Sequence, residues 1–325
     1  MRALVCKEYG PPDSLVIEER DDPEPGEGQV LVDIAAAGIN FPDILIIAGN
    51  YQVKTPTPFV PGNEAAGVVS AIGPGVTRFA VGDKVIINTK GGAFAEKCVA
   101  DVHMMAPLPK ELSFEQGAGF SVTYGTSYHA LKQSANLQPG ETVLVLGAAG
   151  GVGITAVELA KAMGARVIAA ASSDEKLDFA KSAGADELIN YSQVPLKETV
   201  KELTDGKGAD VVYDPVGGDF ADQAFRATAW HGRYLVIGFA CGEIPKFPAN
   251  IALLKEASII GVWWGTWAAK NPQLQVQNML ELGRMVKDGT IMPRVTESYA
   301  LEDYVDAFKA ISERRARGKV TLRLK

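Results

Sequence analysis

Residues 142–163 read T-V-L-V-L-G-A-A-G-G-V-G-I-T-A-V-E-L-A-K-A-M. Residues 143–146 form a short apolar run of the kind a strand buried on both faces needs. Ala148, Gly150 and Gly153 follow as A-x-G-x-x-G, and residues 154–163 continue at helical spacing. Residues this small let the strand turn sharply into a helix. They also let the backbone N–H groups of Gly150, Gly151, Val152 and Gly153 approach a pyrophosphate at the helix N-terminus, where the dipole favours negative charge. The glycine pattern alone is weak, because tight turns imitate it. Placed after a strand, before a helix and ahead of a second strand, it predicts a dinucleotide site.

Downstream of this stretch the chain alternates. Strands are expected at 166–171, 187–190, 210–213, 234–237 and 258–263, with helices at 174–183, 196–204 and 220–227 between them. Six strands joined by crossovers make a doubly wound parallel sheet of the α/β class. Upstream, residues 1–121 are β-rich, with strands expected at 1–7, 15–19, 29–37, 64–72 and 84–88 and a turn at 21–28. Asn40 followed by Pro42 marks a helix start, and Ser113-x-x-Gln116 is a capping box. Amphipathic helices at 273–287 and 302–315 and a strand at 320–324 are expected to return to this β-rich part. The reading therefore gives one domain from 1–121 with 266–325, and a second from 122–265.

Composition excludes several classes of function. A net charge of −7 leaves no electrostatic footprint for nucleic acid or an anionic membrane. The longest strongly apolar uncharged run, 257–269, is too short to span a bilayer, and charges come too early at the N-terminus for a secretory signal. Cys6, Cys98 and Cys241 are too dispersed for a disulfide framework or a metal knuckle. The expectation is a cytoplasmic protein with a small-molecule substrate and no membrane insertion.

Six further motifs carry a resemblance. They are A-G-I-N-F-x-D at 37–43, P-G-N-E-A-A-G-V-V at 61–69, G-D-K-V at 82–85, A-A-G-G-V-G at 148–153, A-G-A-D at 183–186 and Y-D-P-V-G-G at 213–218. Together they are specific and span nearly the whole chain, which resembles the zinc-free quinone oxidoreductase branch of the medium-chain dehydrogenase/reductase superfamily. The resemblance implies a GroES-like β-barrel catalytic domain built from both chain ends and a Rossmann domain between them, with substrate meeting nicotinamide in a cleft.

The zinc alcohol dehydrogenases that this chain resembles carry Cys where Asn40 stands and His where Asn63 stands, before the retained Glu64. They also insert a four-cysteine lobe near 88–95. Zinc needs thiolate, imidazole or carboxylate ligands, and asparagine amides are poor substitutes. No metal is expected. An NAD site wants an acid at the end of the second Rossmann strand to hold the ribose 2′-hydroxyl. This chain reads Ala170-Ala171-Ser172-Ser173-Asp174-Glu175-Lys176 there. The hydroxyls of Ser172 and Ser173 and the Lys176 ammonium suit a 2′-phosphate, so NADPH is the expected cofactor. Against this, Ser173 can simply cap the next helix, Lys176 can be a solvated helix residue, and Asp174 can compromise the site.

The resemblance adds Tyr191 beside the 2′-phosphate and places Thr126, His129, Val216, Phe239 and Trp263 on the nicotinamide half. Plainer roles exist for them, Thr126 as a helix cap and Phe239 and Trp263 as core. Lys319 is expected to reach the pyrophosphate, and Cys241 reads as an unreactive thiol. Asn40, Asp43 and Tyr51 are the implied catalytic residues, on the opposite side of the cleft, and Asn40 is expected to contact the cofactor as well. Hydride transfer to a quinone or activated alkene leaves charge on a carbonyl oxygen, and a phenol and an amide can donate to it without a metal. The expected activity is NADPH-dependent reduction of quinones or other α,β-unsaturated carbonyl compounds. A short-chain enoyl-thioester (acyl-CoA) reductase is the rival enzyme, and a non-catalytic NADPH-binding protein the rival from another class. The apolar strand at 258–264 is expected at the sheet edge, where pairing with its own copy would cover it, giving a homodimer through the last Rossmann strand.

Overall fold

The computed structural model describes residues 1–324. They form two compact units, Met1–Val122 with the chain from Pro293 onward, and Thr123–Met292.

The first unit begins with the hairpin β1 (Arg2–Val5) and β2 (Val16–Glu19). β3 (Gln29–Ile39) is the long central strand, and α1 (Phe41–Ile47) follows it after the Asn40 cap. Next come β4 (Glu64–Ile72), β5 (Lys84–Asn88), β6 (Lys97–Asp101) and β7 (Met105–Pro107). α2 (Phe114–Ala118) closes the segment, and its Ser113/Gln116 capping box forms as the sequence indicates. Alternate residues of β3 and β4 point into one core with Phe94, Phe308 and Leu322.

The second unit opens with α3 (Ser121–His129), which continues as a π-helical turn over Ala130–Ser134. Strand and helix then alternate through β8 (Thr142–Leu146), α4 (Gly151–Ala162), β9 (Arg166–Ala171), α5 (Asp174–Ser182) and β10 (Glu187–Asn190). The alternation goes on with α6 (Leu196–Leu203), β11 (Ala209–Asp214), α7 (Asp219–Arg226), β12 (Thr228–Val236), α8 (Ala249–Lys255) and β13 (Ser258–Gly261). The sheet is parallel throughout, in the order β10-β9-β8-β11-β12-β13. The order reverses beside β8, so the glycine turn that leaves β8 lies at the topological switch point.

α9 (Trp264–Lys270) and α10 (Pro272–Lys287) end this unit. Their position corrects the expected boundary at 265/266 and the return of 273–287 to the β-rich part. Gln133 Nε2 donates to Asn278 Oδ1 at 2.9 Å, Tyr128 donates to Glu281, and Leu282 and Val286 are buried. α10 is thus tied to α3, and the chain leaves the unit only after Met292. The last strand ends at Gly261, short of the expected 263, and Trp264 opens α9 with its indole packed over Gly125 of α3. A Cβ at Gly125 would lie 2.5 Å from that ring.

The chain completes the first unit with β14 (Val295–Ala300), α11 (Tyr304–Ser312) and β15 (Lys319–Arg323). β15 pairs antiparallel with β3 and parallel with β14, which joins the C-terminal segment to the sheet built on β3. Among the described residues no helix is long and apolar enough to cross a membrane.

Candidate functional site

At the turn after β8, Gly147 has φ +55, a conformation L side chains rarely adopt. A Cβ at Gly153 would stand 2.2 Å from the Gly147 carbonyl oxygen, so only glycine lets α4 start this close to the strand. The helix begins at Gly151, earlier than the apolar spacing indicates, and its Gly150 N-cap supplies no side-chain hydrogen bond. The N–H groups of Gly151, Val152 and Gly153 are therefore left to an outside acceptor. The helix start is anchored from behind. Ser127 Oγ donates to the Val152 carbonyl at 3.0 Å and lies 2.8 Å from both Thr155 Oγ1 and the buried Tyr213 hydroxyl.

At the carboxyl end of β9, Lys176 Nζ lies 3.1 Å from the Oγ of exposed Ser172. Ser173 is the N-cap of α5, its oxygen accepting from Lys176 N at 3.4 Å, so its hydroxyl serves the helix first. Tyr191 stacks on Phe220 with ring centroids 4.2 Å apart. Ser192 Oγ donates to the Ser172 carbonyl at 3.1 Å, which draws the end of β10 against the end of β9.

At the end of β11, Asp214 Oδ1 accepts from Val216 N at 2.7 Å and from Gly217 N at 3.0 Å, and Tyr234 donates to its other oxygen. Burial pushes the Asp214 carboxyl above its ordinary value, while Tyr234 and the two backbone N–H groups oppose that shift. This turn holds Val216 so close to the glycine loop that a Cβ at Gly147 would meet Val216 Cγ2 at 2.9 Å. Phe239 packs over Gly217.

Thr126 lies inside α3 and caps nothing. His129, on the same helix face one turn on, stacks on Trp267 at 4.1 Å, and burial pushes its imidazole below the ordinary value. Trp263 is 52% exposed and shares with His129, Trp267 and Lys270 an open cleft of about 450 Å³. His129 thus faces the edge of α9, which makes it the weakest of the expected nicotinamide contacts.

In the first unit, Asn40, Asp43, Glu64 and Lys319 form one buried cluster. Lys319 Nζ donates to the Ile39 carbonyl at 2.8 Å and to Asn40 Oδ1, and pairs with Glu64 Oε1 at 2.7 Å. Asn40 Nδ2 donates to Glu64 Oε1 at 2.9 Å. Glu64 Oε2 accepts from Val122 N. Asp43 Oδ2 accepts from Asn40 N at 2.8 Å, and its Oδ1 accepts from Asn63 Nδ2 at 3.0 Å. Burial raises the Asp43 carboxyl to about 7 and Glu64 adds to the rise, against the Asn40 and Asn63 hydrogen bonds and the Lys319 charge.

Three expectations are corrected by this cluster. Lys319 does not reach for a pyrophosphate, because its three donors are spent inside the unit. Asn40 has both ends of its amide engaged and is no free donor to a substrate oxygen. Asp43 is 0% exposed, so it shapes the α1 cap rather than touching substrate. Tyr51 differs. It is half-buried in the loop after α1, and its hydroxyl has no partner among the described residues.

Comparison with known proteins agrees with this geometry. Residues 26–110 match the family model of the alcohol dehydrogenase GroES-like domain, and residues 151–282 that of the zinc-binding dehydrogenases. The quinone oxidoreductase-like protein 2 homolog of Nematostella vectensis is 42% identical over 100% of this chain and 89% of that protein. Human quinone oxidoreductase is 33% identical over 96% of this chain and 94% of its own. The chain belongs to the quinone oxidoreductase branch of the medium-chain dehydrogenase/reductase superfamily. Among solved structures of that branch, Escherichia coli quinone oxidoreductase complexed with NADPH superposes with a TM-score of 0.93 at 30% identity, covering 99% of this chain and 100% of that one.

The zinc in the second family's description can be tested against the residues present. Asn40 and Asn63 offer amides whose nitrogens already donate to carboxylates, and the Lys319 ammonium stands at Glu64. A fixed ammonium repels a dication, and no cluster of three His, Cys, Asp or Glu that could hold a metal occurs among the described residues. The donor set does not fit zinc. The second unit does fit a dinucleotide, since the tight glycine turn presents the uncapped N-terminus of α4 at the carboxyl end of β8. Sequence reasoning missed Asn190, Ser192 and Asp214, which hold the ends of β10 and β11. The only signal for them is their place beside Tyr191 and Val216.

Proposed function

We propose that this oxidoreductase uses NADPH to reduce quinones or other α,β-unsaturated carbonyl compounds without zinc. The observation that carries the reading is the Ser172–Lys176 pair at the end of β9, where an NAD site would place an acid. NADPH supplies the hydride, from C4 of its nicotinamide. Gly151, Val152 and Gly153 would bind its pyrophosphate through their N–H groups, and Ser172, Lys176 and Tyr191 its 2′-phosphate. Val216 and Phe239, fixed by the Asp214 turn, would orient the nicotinamide, with Thr126 and Trp263 beside it. Tyr51 is the donor we assign to the developing oxyanion. A quinone needs little further help, since its reduced anion is stable and takes its proton from water. The pairing edge of β13, where Ile259 is 42% exposed, is the proposed contact of a homodimer.

The test is NADPH oxidation followed with a panel of quinones, enones and enoyl thioesters, on protein whose metal content is measured. Turnover of quinones or enones by metal-free protein supports the reading. Turnover confined to thioesters, none at all, or dependence on about one zinc per chain would overturn it.

A further inference from the structure

Asp174 is an acid three residues past the end of β9, on the first turn of α5, close to where an NAD-binding chain would want one. A free carboxylate there would repel a phosphate dianion and compete for the ribose hydroxyls. In this chain it is not free. Asn190 Nδ2 donates to Asp174 Oδ1 at 2.7 Å, and no other partner of Asp174 occurs among the described residues. The orientation of the Asn190 amide is itself fixed, because its Oδ1 accepts from Ser192 N at 3.1 Å, leaving the NH₂ toward Asp174. Asn190 is buried at the last position of the edge strand β10, with 9% exposure, so the donor is anchored while the acid it holds is exposed. The Lys176 ammonium lies against Ser172 Oγ.

We propose that Asn190 is a specificity-determining residue for the nucleotide. It holds the Asp174 carboxylate toward β10, so that a 2′-phosphate meets the Ser172 hydroxyl and the Lys176 ammonium rather than a competing acid. The same segment carries Tyr191 and Ser192, and Ser192 Oγ is bonded to the Ser172 carbonyl. One stretch, 190–192, therefore both restrains the acid and closes the wall of the phosphate pocket. The inference rests on the NADPH reading above.

The test uses Asn190→Asp and the exchanged double variant Asn190→Asp/Asp174→Asn, with NADPH and NADH affinities measured for each against wild type. Asn190→Asp keeps the acceptor for Ser192 N but sets two carboxylates against each other, which drives Asp174 toward the ribose. NADPH binding should weaken about tenfold or more, the size of the repulsion between a carboxylate and a phosphate dianion about 6 Å apart even in water. NADH binding should be unchanged or tighter. The double variant carries the wild-type charge with donor and acceptor exchanged, and should recover NADPH binding to within about threefold. If Asn190→Asp unfolds the chain, Asn190→Ala releases the acid without adding charge, and Asp174→Asn should again rescue it. Equal loss of both nucleotides, or no rescue by Asp174→Asn in a folded variant, overturns the clamp. A wild-type chain that holds NADH as tightly as NADPH overturns the nucleotide reading and the clamp together. A clear wild-type preference that survives Asn190→Asp overturns the clamp alone.

Discussion

In the first unit the ammonium of Lys319 is spent on Ile39, Asn40 and Glu64, all of them buried. In the second unit the ammonium of Lys176 lies at the surface against the hydroxyl of exposed Ser172. The two lysines carry the same chemistry to opposite ends. A buried charge must be matched within the fold, because leaving one unpaired costs several kcal/mol. A charge at the surface keeps its water and carries no such cost. The same contrast separates Asn40, whose amide is consumed, from the N–H groups at the start of α4, which no cap takes. A cluster that satisfies itself is read as architecture, and a cluster left open as a binding site.

The largest effect should come from breaking the closed cluster. Glu64→Gln keeps the volume but leaves Lys319 buried without its counter-charge, and should cost about 3–5 kcal/mol of stability. Calorimetric unfolding checks this. A melting temperature equal to wild type would mean that the cluster is not the closed structural unit described. Next in size is Tyr51→Phe, which removes a first-unit hydroxyl that has no partner among the described residues. It should lower kcat by about 10²-fold at most while leaving stability and nucleotide affinity alone. Simple enones should suffer more than quinones in steady-state assays. An unchanged kcat for both would make Tyr51 a loop residue.

On the open side, Lys176→Ala should weaken NADPH binding by roughly 10- to 150-fold, from the loss of about 1.5–3 kcal/mol of charge-assisted hydrogen bonding. NADH should be nearly indifferent in the same titrations. Equal losses would assign Lys176 to the support of α5.

A further effect is a slope with pH. The folded-state Asp43 carboxyl is raised from 3.8 to about 7, so the native chain holds a proton that the unfolded chain has released across that window. Stability contributed by this group is therefore present at the acid end and is lost as pH rises from about 4 to about 7. Asp43→Asn should remove the slope. The stability of wild type minus that of the variant should be larger near about pH 5 than near about pH 8. A constant difference would mean that the carboxyl is ionised throughout.

Much of this arrangement was legible in the sequence where it depends on local chemistry. β4, β5, β9 and β10 fall at the residues their apolar patterns indicate, α1 starts after Asn40, and the capping box at Ser113 forms. The glycine turn is local in part, since Gly153 is required by the Gly147 carbonyl six residues earlier, whereas Gly147 is also pressed by distant Val216. What escaped depends on distant partners. The Trp264 indole of α9 packs over Gly125, well over a hundred positions earlier. Lys319 points inward because Glu64 and Asn40 lie on the strand pairing and cap that β15 meets through β3. Asn190 gives no sign of its role until β9 and β10 pair and bring it to Asp174.

The central claim is that the end of β9 is built for a phosphate on the ribose, and two nucleotide fragments test it without any substrate. Titration of the wild-type chain with adenosine 2′,5′-bisphosphate and with adenosine 5′-monophosphate isolates that one group. The account predicts that the bisphosphate binds about tenfold or more tightly, by the charge-assisted bonds from Lys176 and Ser172. Equal affinity for the two fragments would contradict it.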